Sequence, residues 1–265
     1  MDFDFSLIAV PFGMRPGLRR VEPGSLQLTP LAPNGRLRAE KEAVVRAGAS
    51  RHQVPGFDPA PALHAVATHA AAGGLPFGPR DRPELAFEED LAVLDGASGT
   101  LPWLCVCVPS HWAPEDKVGL DFAALHGPVA DNAALVAASR QLVALVTDGN
   151  CRERHVWTIS ASGRYDQHPR RHERTPWPDA VDPDRFAERC WLRAERQTFL
   201  PVGQGTRQVV FTIRVMLQPL PQAVAQPWQA RRLRDSLASM SRAVLAYKNL
   251  APAREPLLRW LEACS

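Results

Sequence analysis

The sequence predicts an α+β protein: an antiparallel β-sheet core flanked by N- and C-terminal helices. Three observations carry that reading. Helical spacing concentrates in the first and last thirds of the chain. The middle holds short apolar and β-branched runs bounded by turn residues, with one helical insertion. Strands and helices do not alternate in the βαβ manner that builds a parallel sheet. One domain over residues 1–265 is expected, with an N-terminal arm and helices over 1–80, the sheet core over 85–220 and closing helices over 227–263.

Residues 1–35 carry Pro11, Pro16, Pro23, Pro30 and Pro33, which rules out a long helix and predicts an extended arm. Arg36 to Gly48 consists of good helix formers. Pro61 to Ala72 places Leu63, Val66, Ala67 and Ala70 at helical spacing, and Gly73-Gly74 ends it. Leu91 to Leu94 and Trp103 to Val108 read as two strands joined by the turn Asp95 to Thr100, the second ending at Pro109-Ser110-His111-Trp112. Phe122 to His126 is a short apolar segment stopped by Gly127-Pro128. Asn132 to Val146 reads as one helix with Leu135, Ala138, Leu142 and Leu145 on one face. His155 to Ser160 reads as a strand. Cys190 to Phe199 and Gln208 to Leu217 form a plausible hairpin around Gly203-Gln204-Gly205, the second arm strongly β-branched. Pro227 to Tyr247 reads as a single amphipathic helix with Leu233, Leu237, Met240, Val244 and Tyr247 on its stripe, and Glu255 to Ala263 as a short closing helix.

A net charge of +3 over 265 residues, with arginines interspersed among acids, gives no nucleic-acid arm. The dense stretch Arg164 to Arg174 reads as a solvated loop, with a docking patch for an acidic partner as the second reading. No apolar run approaches the ~20 residues of a spanning helix. The start Met1-Asp2-Phe3-Asp4-Phe5 is acidic where a signal peptide needs positive charge, and five cysteines without disulfide-type spacing fit a reducing compartment. A cytoplasmic protein without membrane or nucleic-acid partners is the expectation.

Common chemical motifs are missing. Gly203-Gln204-Gly205 lacks the third glycine and the strand-to-helix context of a dinucleotide loop. Cys105 and Cys107 point to the same side of their strand and read as a buried structural pair rather than half a zinc site. His168 and His172 have i, i+4 spacing, but Pro169 argues against a helix beneath them. Ser110 and Ser160 lack a nucleophile-elbow context.

A set of short motifs then occurs in order. Arg15-Pro16-Gly17-Leu18 is followed by Phe87-Glu88-Glu89-Asp90-Leu91-Ala92-Val93-Leu94 and by Val108-Pro109-Ser110-His111-Trp112. Asp116-Lys117-Val118-Gly119 and Leu125-His126-Gly127-Pro128-Val129 come next. Leu192 to Thr198, Phe211 to Arg214, Ala246-Tyr247-Lys248 and Leu258 to Leu261 complete the series. Together they resemble the haem-dependent oxidative N-demethylase alpha-subunit family across nearly the whole chain. The resemblance implies a PAS-like antiparallel sheet holding haem b. It also implies oxidative demethylation of a small secondary amine, releasing formaldehyde, with electrons from partner subunits carrying flavin and an iron–sulfur centre. The chain departs from the family pattern at Thr158-Ile159, at Ala130 and at His111.

Haem needs an axial ligand, an apolar slot and cations for its propionates. With the resemblance, His126 is the candidate proximal ligand; a histidine that merely hydrogen-bonds its turn is the competing reading, and His155 and His111 are fallbacks. On a strand Glu195 and Gln197 share one face and Arg196 takes the other. A buried carboxylate at Glu195 would bind an alkylammonium ion and accept its proton. Arg196, Arg214 and Lys117 are candidate propionate partners. The bland readings are a solvated sheet face, or an ion pair between strands involving Arg214, with Lys117 an exposed loop lysine. Glu89 and Asp90 are expected to cap or pair locally, and Tyr247 and Lys248 to serve helix packing. A non-catalytic haem sensor or carrier and a cofactor-free interaction subunit stand as alternatives to the enzyme.

Overall fold

The computed structural model describes residues 3–22, 24–78, 81–179, 182–203 and 205–265. Met1, Asp2, Pro23 and Gln204, on which parts of the sequence reading fall, lie outside the described residues. The chain is α+β, as expected, and its centre is an antiparallel sheet.

The arm enters with a short 3-10 turn at Phe5–Leu7 and a two-residue strand β1 (Arg19–Arg20). Helix α1 (Arg36–Arg46) leads to β2 (Arg51–Gln53), α2 (Ala60–Ala72) and the single turn α3 (Pro83–Ala86). Gly74 rather than Gly73 supplies the left-handed residue after α2, with φ +70°. Strands β3 (Asp90–Asp95) and β4 (Trp103–Cys105) follow. The helical insertion is α4 (Phe122–His126), α5 (Ala133–Ala137) and α6 (Ser139–Val146). Then come β5 (Arg152–Ser160), α7 (Pro183–Glu188) and the long hairpin β6 (Trp191–Pro201) and β7 (Gln208–Pro219). Helices α8 (Leu220–Ala223), α9 (Pro227–Ala238), α10 (Arg242–Tyr247) and α11 (Arg254–Ala263) close the chain.

Several elements are shorter than the sequence reading has them. The strand from Trp103 ends its ladder at Cys105, so Cys105 and Cys107 do not share a face; they pack in different apolar clusters. The helix expected over Asn132 to Val146 breaks at Ala138, and its buried face is Leu135, Val143 and Val146, with Leu145 39% exposed. The long C-terminal helix breaks after Ala238 and restarts at Ser241, whose hydroxyl accepts from Val244 N at 3.1 Å as an N-cap. Tyr247 accordingly falls off the buried stripe, 45% exposed.

The strand order is β1-β5-β6-β7-β3-β4-β2, antiparallel throughout. Cross-strand partners share a face and neighbours along a strand alternate. One face presents Trp157, Ile159, Leu192, Ala194 and Met216 to the C-terminal helices, and Leu91, Val93, Trp103 and Leu200 to α2. The arm joins this side: Phe3, Phe5 and Ile8 bury there, and Arg232 donates to Ile8 O at 2.9 Å. The opposite face presents Ala92, Leu94, Phe199 and Val209 to Val146 and Leu125 of the helical insertion, and Ile213 and Val215 to Val44 of α1. The five cysteines are free; Cys105, Cys107 and Cys190 are buried. Among the described residues no helix is long and apolar enough to cross a membrane.

Candidate functional site

The face that meets the helical insertion is the one that carries Glu195. The register pairs Glu195 with Val215 and with Val156, and Gln197 with Ile213 and Arg154. A run of polar side chains therefore crosses an otherwise apolar surface. Both carboxylate oxygens of Glu195 are occupied: Gln197 Nε2 donates to Oε2 at 2.7 Å, and Ser110 Oγ donates to Oε1. Arg154 Nε donates to Gln197 Oε1 at 2.7 Å. From the other end Arg193 Nε donates to Ser110 Oγ at 2.8 Å, and its remaining nitrogens reach Val108 O and Arg164 O. The order is Arg154, Gln197, Glu195, Ser110, Arg193, a chain of charge-assisted bonds in a setting where unpaired polar groups are costly. Burial lowers the pKa of both arginines, and Glu195 pulls each back up.

His126 closes α4 on the same side. Asp121 caps this helix by accepting from Ala124 N at 2.8 Å, which starts the turn that ends in the imidazole. Asn132 Nδ2 donates to His126 O and Gly127 O, fixing the turn beyond. The ring is half-buried and stacks on Phe122 with centroids 4.1 Å apart. Its Nδ1 lies 2.8 Å from Phe122 O. A carbonyl only accepts, so Nδ1 carries the proton and Nε2 carries the lone pair. Among the described residues no hydrogen bond uses Nε2. Burial holds the His126 pKa below the ordinary histidine value; Phe122 O opposes this, and Arg154 and Lys117 add to it. Arg154 lies on this face by register, and Lys117 precedes Val118, which packs against the same apolar cluster as Leu125. Around the ring Trp112, Val118, Leu125, Val156 and Phe211 are only half-buried, so this stretch of sheet face is incompletely covered.

The structure thus brings His126, Lys117 and Glu195 to one side of the sheet. It does not bring Arg196 and Arg214 there. Their register puts them opposite each other on the other face. Arg196 pairs with Glu153 at 2.7 Å and donates to Leu26 O and Gln27 Oε1; Arg214 pairs with Glu88 at 2.7 Å. An interstrand ion pair of Arg214 with Glu195 is therefore not what forms. Of the fallback histidines, His155 shares the Arg196 face, while His111 follows Ser110 with φ +60°. The Arg164 to Arg174 loop is less solvated than expected: Asp166, Gln167 and His168 are buried, Arg171 and His172 pair with Asp166, and His168 with Glu115. Among the described residues no group of three or more His, Cys, Asp or Glu converges as a metal cage; a haem iron asks the protein for an axial side chain rather than a cage.

Sequence reasoning gave Arg154 no role, read Ser110 only as lacking a nucleophile-elbow context and read Lys248 as helix packing. Lys248 does more than pack a helix: its Nζ donates to Trp157 O at 2.9 Å, and burial draws its pKa down to about 8 against the pull of Glu195. The period-two series Arg154, Val156, Thr158 on a strand was the one local signal for Arg154. Ser110 and Lys248 meet the sheet from 85 and 91 residues away, a proximity that no local pattern carries.

The family model described as haem-dependent oxidative N-demethylase, alpha subunit-like, matches residues 85–258. Comparison with curated proteins gives no match.

Proposed function

Because the chain belongs to the haem-dependent oxidative N-demethylase, alpha subunit-like family, we propose that it binds haem b and removes a methyl group oxidatively from a small secondary amine, releasing formaldehyde. The observation that supports this most is His126. Its Nδ1 is held by a backbone carbonyl, and among the described residues no hydrogen bond uses its Nε2; the ring is half-buried. That is the arrangement an axial imidazole needs, with its outer nitrogen fixing tautomer and ring orientation. The donor set fits the group, with one neutral imidazole and, on the same side of the sheet, the cations Lys117 and Arg154 for the propionates. Arg196 and Arg214 would reach a propionate only by crossing the sheet, so we assign that role to Lys117 and Arg154 instead.

When bound, haem supplies the redox chemistry. The protein's own contribution centres on Glu195. A dialkylamine is a cation at neutral pH and must lose its proton before it can be oxidised. The Glu195 carboxylate attracts that cation and takes the proton from its nitrogen. Ser110 and Gln197, one on each oxygen, hold the carboxylate in a single orientation, and Arg193 and Arg154 fix those two in turn. Phe211, Val156 and Trp112 give this chain a half-buried apolar surround, in which each of these interactions is stronger than in bulk water. Electrons would come from partner subunits carrying flavin and an iron–sulfur centre, in keeping with a family described as an alpha subunit.

A non-catalytic haem carrier is the second reading, favoured by the departure from the family pattern at Thr158-Ile159. Absorbance separates the cases. Protein made with ample haem is expected to show a Soret band. His126→Ala is expected to lose it with an unchanged far-UV circular dichroism spectrum. Glu195→Gln should keep the band and lose both the amine-dependent spectral shift and formaldehyde release. A Soret band unchanged in His126→Ala defeats the ligand assignment; a wild-type band that no amine perturbs leaves the carrier.

A further inference from the structure

Ser110 reaches Glu195 from a segment that has left the sheet. Strand β4 ends at Cys105, so the backbone carbonyls that follow lie beyond the ladder. Three of them in a row are nevertheless held, each by a different donor. Arg171 Nη2 donates to Cys107 O at 3.0 Å, Arg193 Nη2 to Val108 O at 3.1 Å and Gln167 N to Pro109 O at 3.1 Å. On the far side of Ser110 the 3-10 turn Pro114–Asp116 is gripped as well. His168 Nδ1 accepts from Arg170 N, so its Nε2 carries the proton and donates to Glu115 Oε2 at 3.0 Å. Arg170 pairs with Glu115 and with Asp116, at 2.6 Å each. Of these donors all but Arg193 belong to the Arg164 to Arg174 loop, and Arg193 itself donates to Arg164 O at 3.2 Å.

That loop is built around a buried carboxylate. Asp166 is 2% exposed. Its two oxygens accept from Arg171 Nε and Nη2 at 2.8 and 2.9 Å, a bidentate pair that gives the guanidinium one orientation. Its backbone N donates to Glu40 Oε2 of α1 at 2.7 Å, which ties the loop to the body of the protein. The Ser110 segment needs such support. His111 takes a left-handed φ of +60°, a conformation that a residue with a side chain keeps only where its surroundings impose it.

We propose that the Arg164 to Arg174 loop is a clasp on the Ser110 segment, and that Arg171 is a positioning residue for Glu195: by fixing Cys107 O it holds the Ser110 hydroxyl against the carboxylate. When Ser110 moves, the carboxylate loses its single orientation, and a misaligned proton acceptor is a poor one. Arg171's part in turnover rests on the reading of Glu195 as the group that takes the amine; the clasp itself does not.

Amide hydrogen exchange and amine binding test it on the full chain, in the wild type, Arg171→Gln, Ser110→Ala and the double variant. Arg171→Gln should raise exchange across 107–112 by about tenfold, the loss of one charge-assisted bond, and leave β6 and β7 as protected as before. Dimethylammonium, titrated by calorimetry, should bind about tenfold more weakly to Ser110→Ala and to Arg171→Gln alike. The double variant should bind no more weakly than Ser110→Ala, since a residue that acts through Ser110 then has nothing to act on; a general loosening would add instead. If Arg171→Gln also strips β6 and β7 of protection, Arg170→Ala, at an exposed side chain, repeats the exchange measurement and should release 112–117. Exchange across 107–112 unchanged in a folded Arg171→Gln overturns the clasp, as does unchanged exchange in Arg170→Ala where that variant is needed. Additive losses in the double variant overturn the route through Ser110. A wild type that binds no dimethylammonium defeats the Glu195 reading and Arg171's part in it, and exchange alone then decides the clasp.

Discussion

Lys41 has none of its side chain exposed, yet it keeps its charge. Burial alone would drive its pKa down; Asp90, 3.1 Å away, outweighs that and leaves it above the ordinary lysine value. Phe87 O and Glu89 O accept its other protons. The local pairing expected of Glu89 and Asp90 is not what forms: Asp90 pairs with Lys41 of α1, and the Glu89 carboxylate accepts from Thr29 N at 2.9 Å, both distant in sequence. Lys41→Met should leave Asp90 buried without its cation and cost about 3–5 kcal/mol, read as a lower midpoint in urea unfolding. His126 illustrates the reverse case. Its folded pKa is depressed, so its contribution to stability is present above the unfolded value of about 6.5 and is lost as pH falls through the folded value. The same protonation removes the lone pair that an iron would need. Affinity of the apo-protein for added haem should therefore fall by up to about tenfold per pH unit below the His126 pKa. An affinity flat across the acidic range, measured by fluorescence quenching, would argue against this residue as the ligand.

Between elements, Gly96 marks the closest approach. It lies past β3, donates to Arg207 O at 2.7 Å, and sits against Thr147 at the end of α6. A Cβ there would come within 2.6 Å of Arg207 O and nearer still to Thr147 Oγ1. Gly96→Ala should cost about 1–3 kcal/mol through overpacking, seen as a lower melting temperature. The elements themselves were largely readable. β3 and β7 are apolar or β-branched runs, β5 was legible from His155 onward and β6 by its imperfect alternation, and α1, α2 and α11 have clear spacing and stops. What failed was continuity. Helical periodicity runs through Ala138 and through Met240, because spacing records which side chains can be buried and not whether the chain bends. Only Ser241, a capping residue within the run, hinted at the second break. β1 and β2, two and three residues long, are strands because a neighbour offers an edge, and their sequences Arg19–Arg20 and Arg51–Gln53 hold no strand pattern. At the site, the opposed faces of Glu195 and Arg196 followed from period two alone. The partners of Glu195 did not, since they depend on which loop crosses the sheet.

Taken whole, the molecule is a sheet packed on both faces. One face is covered by the arm, the C-terminal helices and α2, with the Arg196–Glu153 and Arg214–Glu88 pairs between its two clusters, while the other packs against α1 and the helical insertion and carries the Glu195 chain between them. This layering decides what happens to the thiols. Cys105, Cys107 and Cys190 lie inside, and burial lifts their pKa values, Cys107 to beyond the usual range and Cys190 to about 12. Cys151 and Cys264 are half-buried and also raised. An alkylating reagent attacks thiolate, which the three inner sulfurs barely populate at neutral pH. Each becomes reactive only when its layer parts from the sheet. Followed by mass spectrometry of the digested protein, their modification should lag behind that of Cys264. The lag would time the opening of each side separately, a stopwatch that the polypeptide carries without any added label.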